Sequence, residues 1–108
     1  MEIEEARRKL RTYRALDNEI RLKALAVIHE RPGISFNEIS RKVKVERGLL
    51  AYHLGVLKAA GIVNVDYERT SKQTSKYEAT DEGRKLIQEL RSKLEPKEEA
   101  NKGKTRKS

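Results

Sequence analysis

Residues 34–61, ISFNEISRKVKVERGLLAYHLGVLKAAG, decide the fold of this 108-residue chain. Ser35 and Glu38 stand three apart at the head of this stretch, the spacing at which a hydroxyl and a carboxylate satisfy each other's backbone donors in a capping box. Ile34 and Ile39 occupy the flanking positions of a hydrophobic staple. A short helix therefore starts here and ends near Lys42. Val43-Lys44-Val45 leaves room for only a tight turn before the next helix, which reads from Arg47 to Ala60 with Gly61 just past its C-cap. Two helices joined by so short a turn cross steeply, as helix-turn-helix units do.

Wound as a helix, residues 47–60 gather Leu50, His53, Leu54 and Leu57 on one face, with Leu49, Val56 and Ala60 beside them. That face is core, and His53 on it reads as a packed residue. The opposite side presents Arg47, Gly48, Ala51, Tyr52, Gly55 and Lys58. Its small residues allow close approach to another body, and a DNA major groove, about 12 Å wide, admits such a helix. The surroundings are cationic: Arg41, Lys42, Lys44, Arg47 and Lys58 face a single acid, Glu46, which reads as a local cap.

Outward from this segment the period changes. Ile62, Val63, Val65 and Tyr67 suit a strand, Thr70 to Ser75 is polar and turn-like, and Lys76 to Thr80 suits a returning strand. Around the tip of that hairpin, Arg69, Lys72 and Lys76 have no acid between them. Such a ribbon, over residues 66–77, suits the phosphate backbone or the minor groove ahead of the alternative, a charged edge that protects a hairpin. Thr80 is placed to cap a last helix, with Asp81 and Glu82 in its first turn and Leu86, Ile87, Leu90 and Leu94 as its apolar stripe. Pro96 ends it. Upstream, Asp17 or Asn18 caps a helix whose Leu22, Leu25, Ala26 and His29 look core-facing, and Pro32-Gly33 stops it. A thin amphipathic helix over Glu2–Tyr13 carries Ile3, Ala6, Leu10 and Tyr13. The architecture is mainly α with a small β-hairpin, of α+β class. One domain spans 1–94, and 95–108, with Ala100 as its sole apolar residue, is expected to be a disordered basic tail.

Hydrophobic residues make up 36% and charged residues 39%, so the core must be lean and aliphatic. One small domain cannot cover every stripe. Ile3, Ala6, Leu10 and Tyr13, with Leu86, Ile87, Leu90 and Leu94, are therefore expected to form a seam between two copies. The net charge of +8 draws polyanions, nucleic acid ahead of an anionic membrane. No apolar run approaches the roughly 20 residues of a spanning helix, and Met1 to Leu10 is charged where a signal peptide is apolar, so a cytoplasmic, nucleoid-associated protein is expected. The absence of cysteine excludes disulfides and thiolate metal sites, and two isolated histidines do not make a metal site, so neither metal nor cofactor is expected. No carboxylate pair, nucleophile with its base or glycine-rich phosphate loop appears, which argues against an enzyme. High charge with no cysteine and one methionine fits a thermophilic source.

Ala15-Leu16-Asp17-Asn18-Glu19-Ile20-Arg21-Leu22, Ile39-Ser40 and the run from Tyr52 to Val63 resemble the ArsR-type winged-helix repressors over roughly residues 15–80. The segment from Tyr77 to Ile87, with Ala79-Thr80-Asp81-Glu82-Gly83-Arg84, is similar to the strand-to-helix junction of MarR-type and archaeal winged-helix regulators. The resemblance implies a homodimeric transcriptional regulator of double-stranded DNA, held together by terminal helices, with the fourth helix in the major groove and the hairpin as a wing. The expected contact set is Arg41, Lys42, Lys44, Arg47, Gly48, Ala51, Tyr52, Lys58, Arg69, Lys72 and Lys76. Lys44 stands where the family has a turn glycine, which leaves a different turn geometry open, and Glu46 stands where it has a Ser or Thr cap. The metal-sensing cysteine pair is absent, so metal control does not carry over. Two other roles fit the same residues: a protein-interaction module of a larger transcription or RNA-processing assembly, and a non-specific architectural DNA binder. The residues argue for no effector pocket.

Overall fold

A computed structural model describes residues 2–67 and 75–92. Helix α1 (Ile3–Leu16) leads into α2 (Glu19–Glu30), followed by β1 (Ile34–Ser35), α3 (Phe36–Val43), α4 (Arg47–Ala59), β2 (Val63–Tyr67) and β3 (Ser75–Ala79). A fifth helix, α5, runs over 81–92 as far as the described residues reach. The strands form one antiparallel sheet in the order β1-β3-β2, with Tyr77 of β3 opposite Ile34 on one side and Val65 on the other. The expected hairpin is present, its first strand starting one residue later, at Val63, and its second displaced by one residue to Ser75–Ala79. β1 was not expected. Two residues carry no periodicity of their own, and Ile34–Ser35 becomes a strand only because β3 lies beside it.

Local chemistry sets the element ends. Ser35 and Glu38 form the capping box, the Ser35 hydroxyl accepting from the Glu38 backbone and the Glu38 carboxylate from the Ser35 backbone. Asn18, the second of the two candidate caps, accepts from Arg21 N–H at 3.0 Å to start α2. Glu46 does the same for α4 by accepting from Leu49 N–H at 3.1 Å. At the other end of α4, Gly61 N–H donates to Lys58 O at 3.0 Å and Ile62 N–H to Leu57 O at 2.9 Å, the pair of bonds that makes a Schellman motif. Lys44 takes the left-handed conformation that glycine favours, at φ 61° and ψ 53°. A side chain in that conformation costs about 1–2 kcal/mol. Lys44 N–H bonds to Ser40 O at 2.9 Å, and the Ser40 hydroxyl lies 3.4 Å from Val45 O, which holds the turn in place.

The core is aliphatic, with Leu25, Ile28, Ile39, Leu50, Leu57, Ile62 and Leu86 its largest enclosed side chains. Two expectations about its faces need correction. In α2 the buried face is Ala24, Leu25 and Ile28, while Leu22 is 43% exposed and Ala26 is exposed. The helix is turned so that α3, α4 and β3 cover one side, and the Leu22/Ala26/His29 side borders a shallow cleft of about 200 Å³ toward Ile87 and Leu90 of α5. Leu86, expected on a seam between copies, lies wholly in the protomer's own core, out of reach of a second chain. Ile87 and Leu90 are half-buried, and Leu94 lies outside the described residues. On α1 the face turned to the core is Thr12, Ala15 and Leu16, so Ile3 and Leu10 remain 66% and 55% exposed.

Candidate nucleic-acid interface

Helix α4 divides nearly as its spacing requires, with one correction: Leu49, expected beside the core face, is 41% exposed, because it lies at the edge of the leucine face in the first turn of the helix. Leu50, His53, Leu54 and Leu57 are buried, and Arg47, Gly48, Ala51, Tyr52, Gly55 and Lys58 are exposed on the other side. A Cβ added at Gly55 would meet nothing within 4 Å, so no atom of the chain's own fold demands glycine there. Glycine inside a helix is about 0.8–1 kcal/mol worse than alanine.

Arg47 opens the helix with its guanidinium already oriented. It is hydrogen-bonded to the Asn37 side-chain oxygen and sits 4.9 Å from the centre of the Phe36 ring, both on α3. Arg41 and Lys42 at the end of α3 and Lys44 in the turn are exposed. Tyr52 is 62% exposed, its ring edge-on to His53 at 5.1 Å. Lys76 is exposed on β3, where the strand register places Asp66 directly across from it. Opposite charges at such a position attract, so part of the lysine's charge is answered within the sheet. Arg69 and Lys72 lie outside the described residues.

His53 ties α4 to the rest of the fold. The Arg21 guanidinium lies 3.1 Å from its Nδ1, and since guanidinium only donates, Nδ1 accepts and the ring proton sits on Nε2. The same guanidinium donates through Nε to Ala15 O at 2.6 Å, so one side chain joins α1, α2 and α4. Burial, and next the Arg21 charge, push the His53 pKa below its ordinary 6.5. The unfolded chain takes up that proton near 6.5 and the folded chain only at lower pH. Stability is therefore complete above about pH 6.5 and declines as pH falls toward the folded-state value. NMR titration of the His53 ring should give a midpoint under 6.5, and thermal unfolding should weaken between pH 7 and pH 5.5. A ring titrating above 6.5 would contradict the Arg21 contact.

Sequence reading missed Arg21, Asn37 and Phe36 as supports of this surface, because each acts through a helix crossing. It also passed over Arg8, Arg11 and Arg14, whose spacing looks like an ordinary solvated helix side. All three border Tyr52 and Val56 across a groove between α1 and α4. On its other side α1 is joined to α5: Lys9 lies 3.6 Å from Glu82 and 3.8 Å from Glu89, and the Tyr13 hydroxyl donates to Glu89 at 2.9 Å. Among the described residues no helix is long and apolar enough to cross a membrane.

Residues 20–96 match the family model described as a winged helix DNA-binding domain. No curated protein sequence matches the chain. Among solved structures, HlyU from Vibrio cholerae N16961 is 27% identical with a TM-score of 0.73, the match covering 87% of this chain and 98% of that one. HlyU from Vibrio vulnificus CMCP6, described as a transcriptional regulator, is 26% identical with a TM-score of 0.68, over 84% of this chain and 92% of that one. FabT from Streptococcus pneumoniae, solved in complex with DNA, is 18% identical with a TM-score of 0.65, over 75% of this chain and 56% of that one. The likeness to FabT is one of fold.

Proposed function

Because this chain belongs to the winged helix DNA-binding domain family, we propose that it is a dimeric transcriptional regulator that recognises double-stranded DNA by sequence. Helix α4 enters the major groove, and the hairpin over 66–77 lies on the backbone or in the minor groove. The observation that carries this reading is the division of α4: Leu50, Leu54 and Leu57 are consumed by the core while Arg47, Gly48, Ala51, Tyr52, Gly55 and Lys58 are exposed on the other side. Arg47 is the main candidate for a base contact, since the N-terminal residues of a recognition helix reach base edges. Arg41, Lys42, Lys44, Lys58, Arg69, Lys72 and Lys76 serve the backbone, which carries most of the affinity. The DNA seen with FabT, a protein of the same fold, supports the class of partner.

The dimer part of the proposal rests on uncovered apolar surface. Ile3, Ala6, Leu10 and Tyr13 follow one side of α1, turned away from the face that meets the core, and Ile87 and Leu90 of α5 are only half covered. A second copy closing over these residues forms a self-complementary interface of the kind two-fold dimers use. The ArsR-type assignment belongs to the same proposal and is carried by residues 15–22 and 39–63. An anisotropy titration of duplexes selected from a random pool, repeated at several salt concentrations, tests it together with the solution mass. Binding should weaken steeply with salt, by about 0.9 in the log–log slope for each phosphate contacted, and the mass should be that of two chains. Affinity indifferent to salt, or a single-chain mass at DNA-binding concentrations, overturns it.

A further inference from the structure

A helix seated in the major groove has a phosphate strand on each flank. One flank of α4 is cationic through α3 and the turn, with Arg47 resting on Phe36 and Asn37 and with Arg41, Lys42 and Lys44 exposed nearby. The other flank, marked by Tyr52, Val56 and Ala59, opens onto a groove of about 810 Å³ whose far wall is α1. That wall presents Arg8, Arg11 and Arg14, one side of a helix at steps of three, and all three are exposed. Among the described residues none of them meets a carboxylate, whereas Lys9 is matched by Glu82 and Glu89. Like charges at this spacing repel one another along a helix. Arg21 adds a fourth charge at the same groove, held in place by Ala15 and His53.

From this juxtaposition we infer that α1 is a second phosphate-binding face: Arg8, Arg11 and Arg14 hold the DNA strand that passes on the Tyr52 side of the recognition helix, opposite the strand held from α3. The inference rests on the DNA-binding reading above. It gives α1 two jobs on two sides, with Ile3, Leu10 and Tyr13 turned toward a partner copy and the arginine row turned toward DNA. It also gives Tyr52 a location at the lip of the groove, where its ring packs on sugar and phosphate between α4 and α1.

The test is the salt dependence of duplex binding by the full chain carrying Arg8→Gln, Arg11→Gln and Arg14→Gln together. At about 0.9 per phosphate contact the log–log slope should become shallower by about 2.7 per protomer, and affinity near 0.1 M salt should fall by about 500-fold for each protomer bound. The corresponding triple lysine variant keeps the charges and should retain most of the slope. If the triple glutamine variant does not fold, Arg11→Gln alone should still reduce the slope by about 0.9 per protomer. A wild-type slope and affinity in a folded glutamine variant overturn the inference. So does a wild-type slope accompanied by saturable, ATP-induced shifts of the arginine Nε resonances in the unmodified protein, which would assign the groove to free polyphosphates. A native chain with no salt-dependent duplex binding at all brings down the functional reading itself, a result distinct from either of these.

Discussion

Arg47→Glu is expected to weaken duplex binding by at least a hundredfold while leaving the fold intact. Each base or phosphate contact of this type contributes about 1–3 kcal/mol, and a dimer loses it twice, so about 2–6 kcal/mol of binding disappears before the added repulsion is counted. Stability should change little. Arg47 is exposed, and its bond to Asn37 and stacking on Phe36 are surface contacts that cost a few tenths of a kcal/mol to lose. Arg47→Lys separates the two ways the side chain can act, since lysine keeps the charge and loses the planar fork. If Arg47 reads a base edge, the lysine variant should lose discrimination between operator and random duplex while keeping its salt slope. Competition binding with the two duplexes measures this, and a glutamate variant of wild-type affinity would remove α4 from the interface.

Gly83→Ala is expected to destabilise the protein by on the order of 3 kcal/mol, a large share of the roughly 5–15 kcal/mol that holds a domain together. In an ordinary helix the same change is favourable by about 1 kcal/mol. Here the sign reverses because α5 starts against the turn that follows α4. A Cβ on Gly83 would lie 2.3 Å from the Ile62 carbonyl oxygen and 3.3 Å from Ile62 Cγ2. Neither side can yield easily. Ile62 O accepts the Thr80 N–H at 2.9 Å, the Thr80 hydroxyl lies 2.7 Å from Gly61 O, and that hydroxyl accepts the Gly83 N–H at 3.0 Å. Pushing α5 outward would also shift Ile87 and Leu90 and break the Tyr13–Glu89 bond to α1. Urea denaturation measures the loss, with Gly55→Ala as the control: open space surrounds that position, so alanine there should be neutral or stabilising. Equal stability of the Gly83 variant and wild type would contradict the described packing of α5.

What the sequence determined by itself was every feature settled within a few residues of chain. The Ser35/Glu38 box, the Glu46 and Thr80 caps, the Gly61 stop and the two-sided character of α4 all depend on groups a few positions apart, and they stand where the residues put them. The candidate contact residues on α3 and α4 were legible for the same reason, since a helix with one leucine face must expose the other. Only the tertiary structure decided which partner each stripe would meet. Periodicity shows that Leu22 and Leu86 lie on apolar faces, but the crossing of α2 and α5 leaves the first exposed and encloses the second. Strand β1 exists because Tyr77 arrives beside Ile34 from 43 residues away. The Arg21–His53 contact and the arginine wall facing Tyr52 likewise arise where helices distant in sequence cross, and side-chain spacing along one chain carries no record of that.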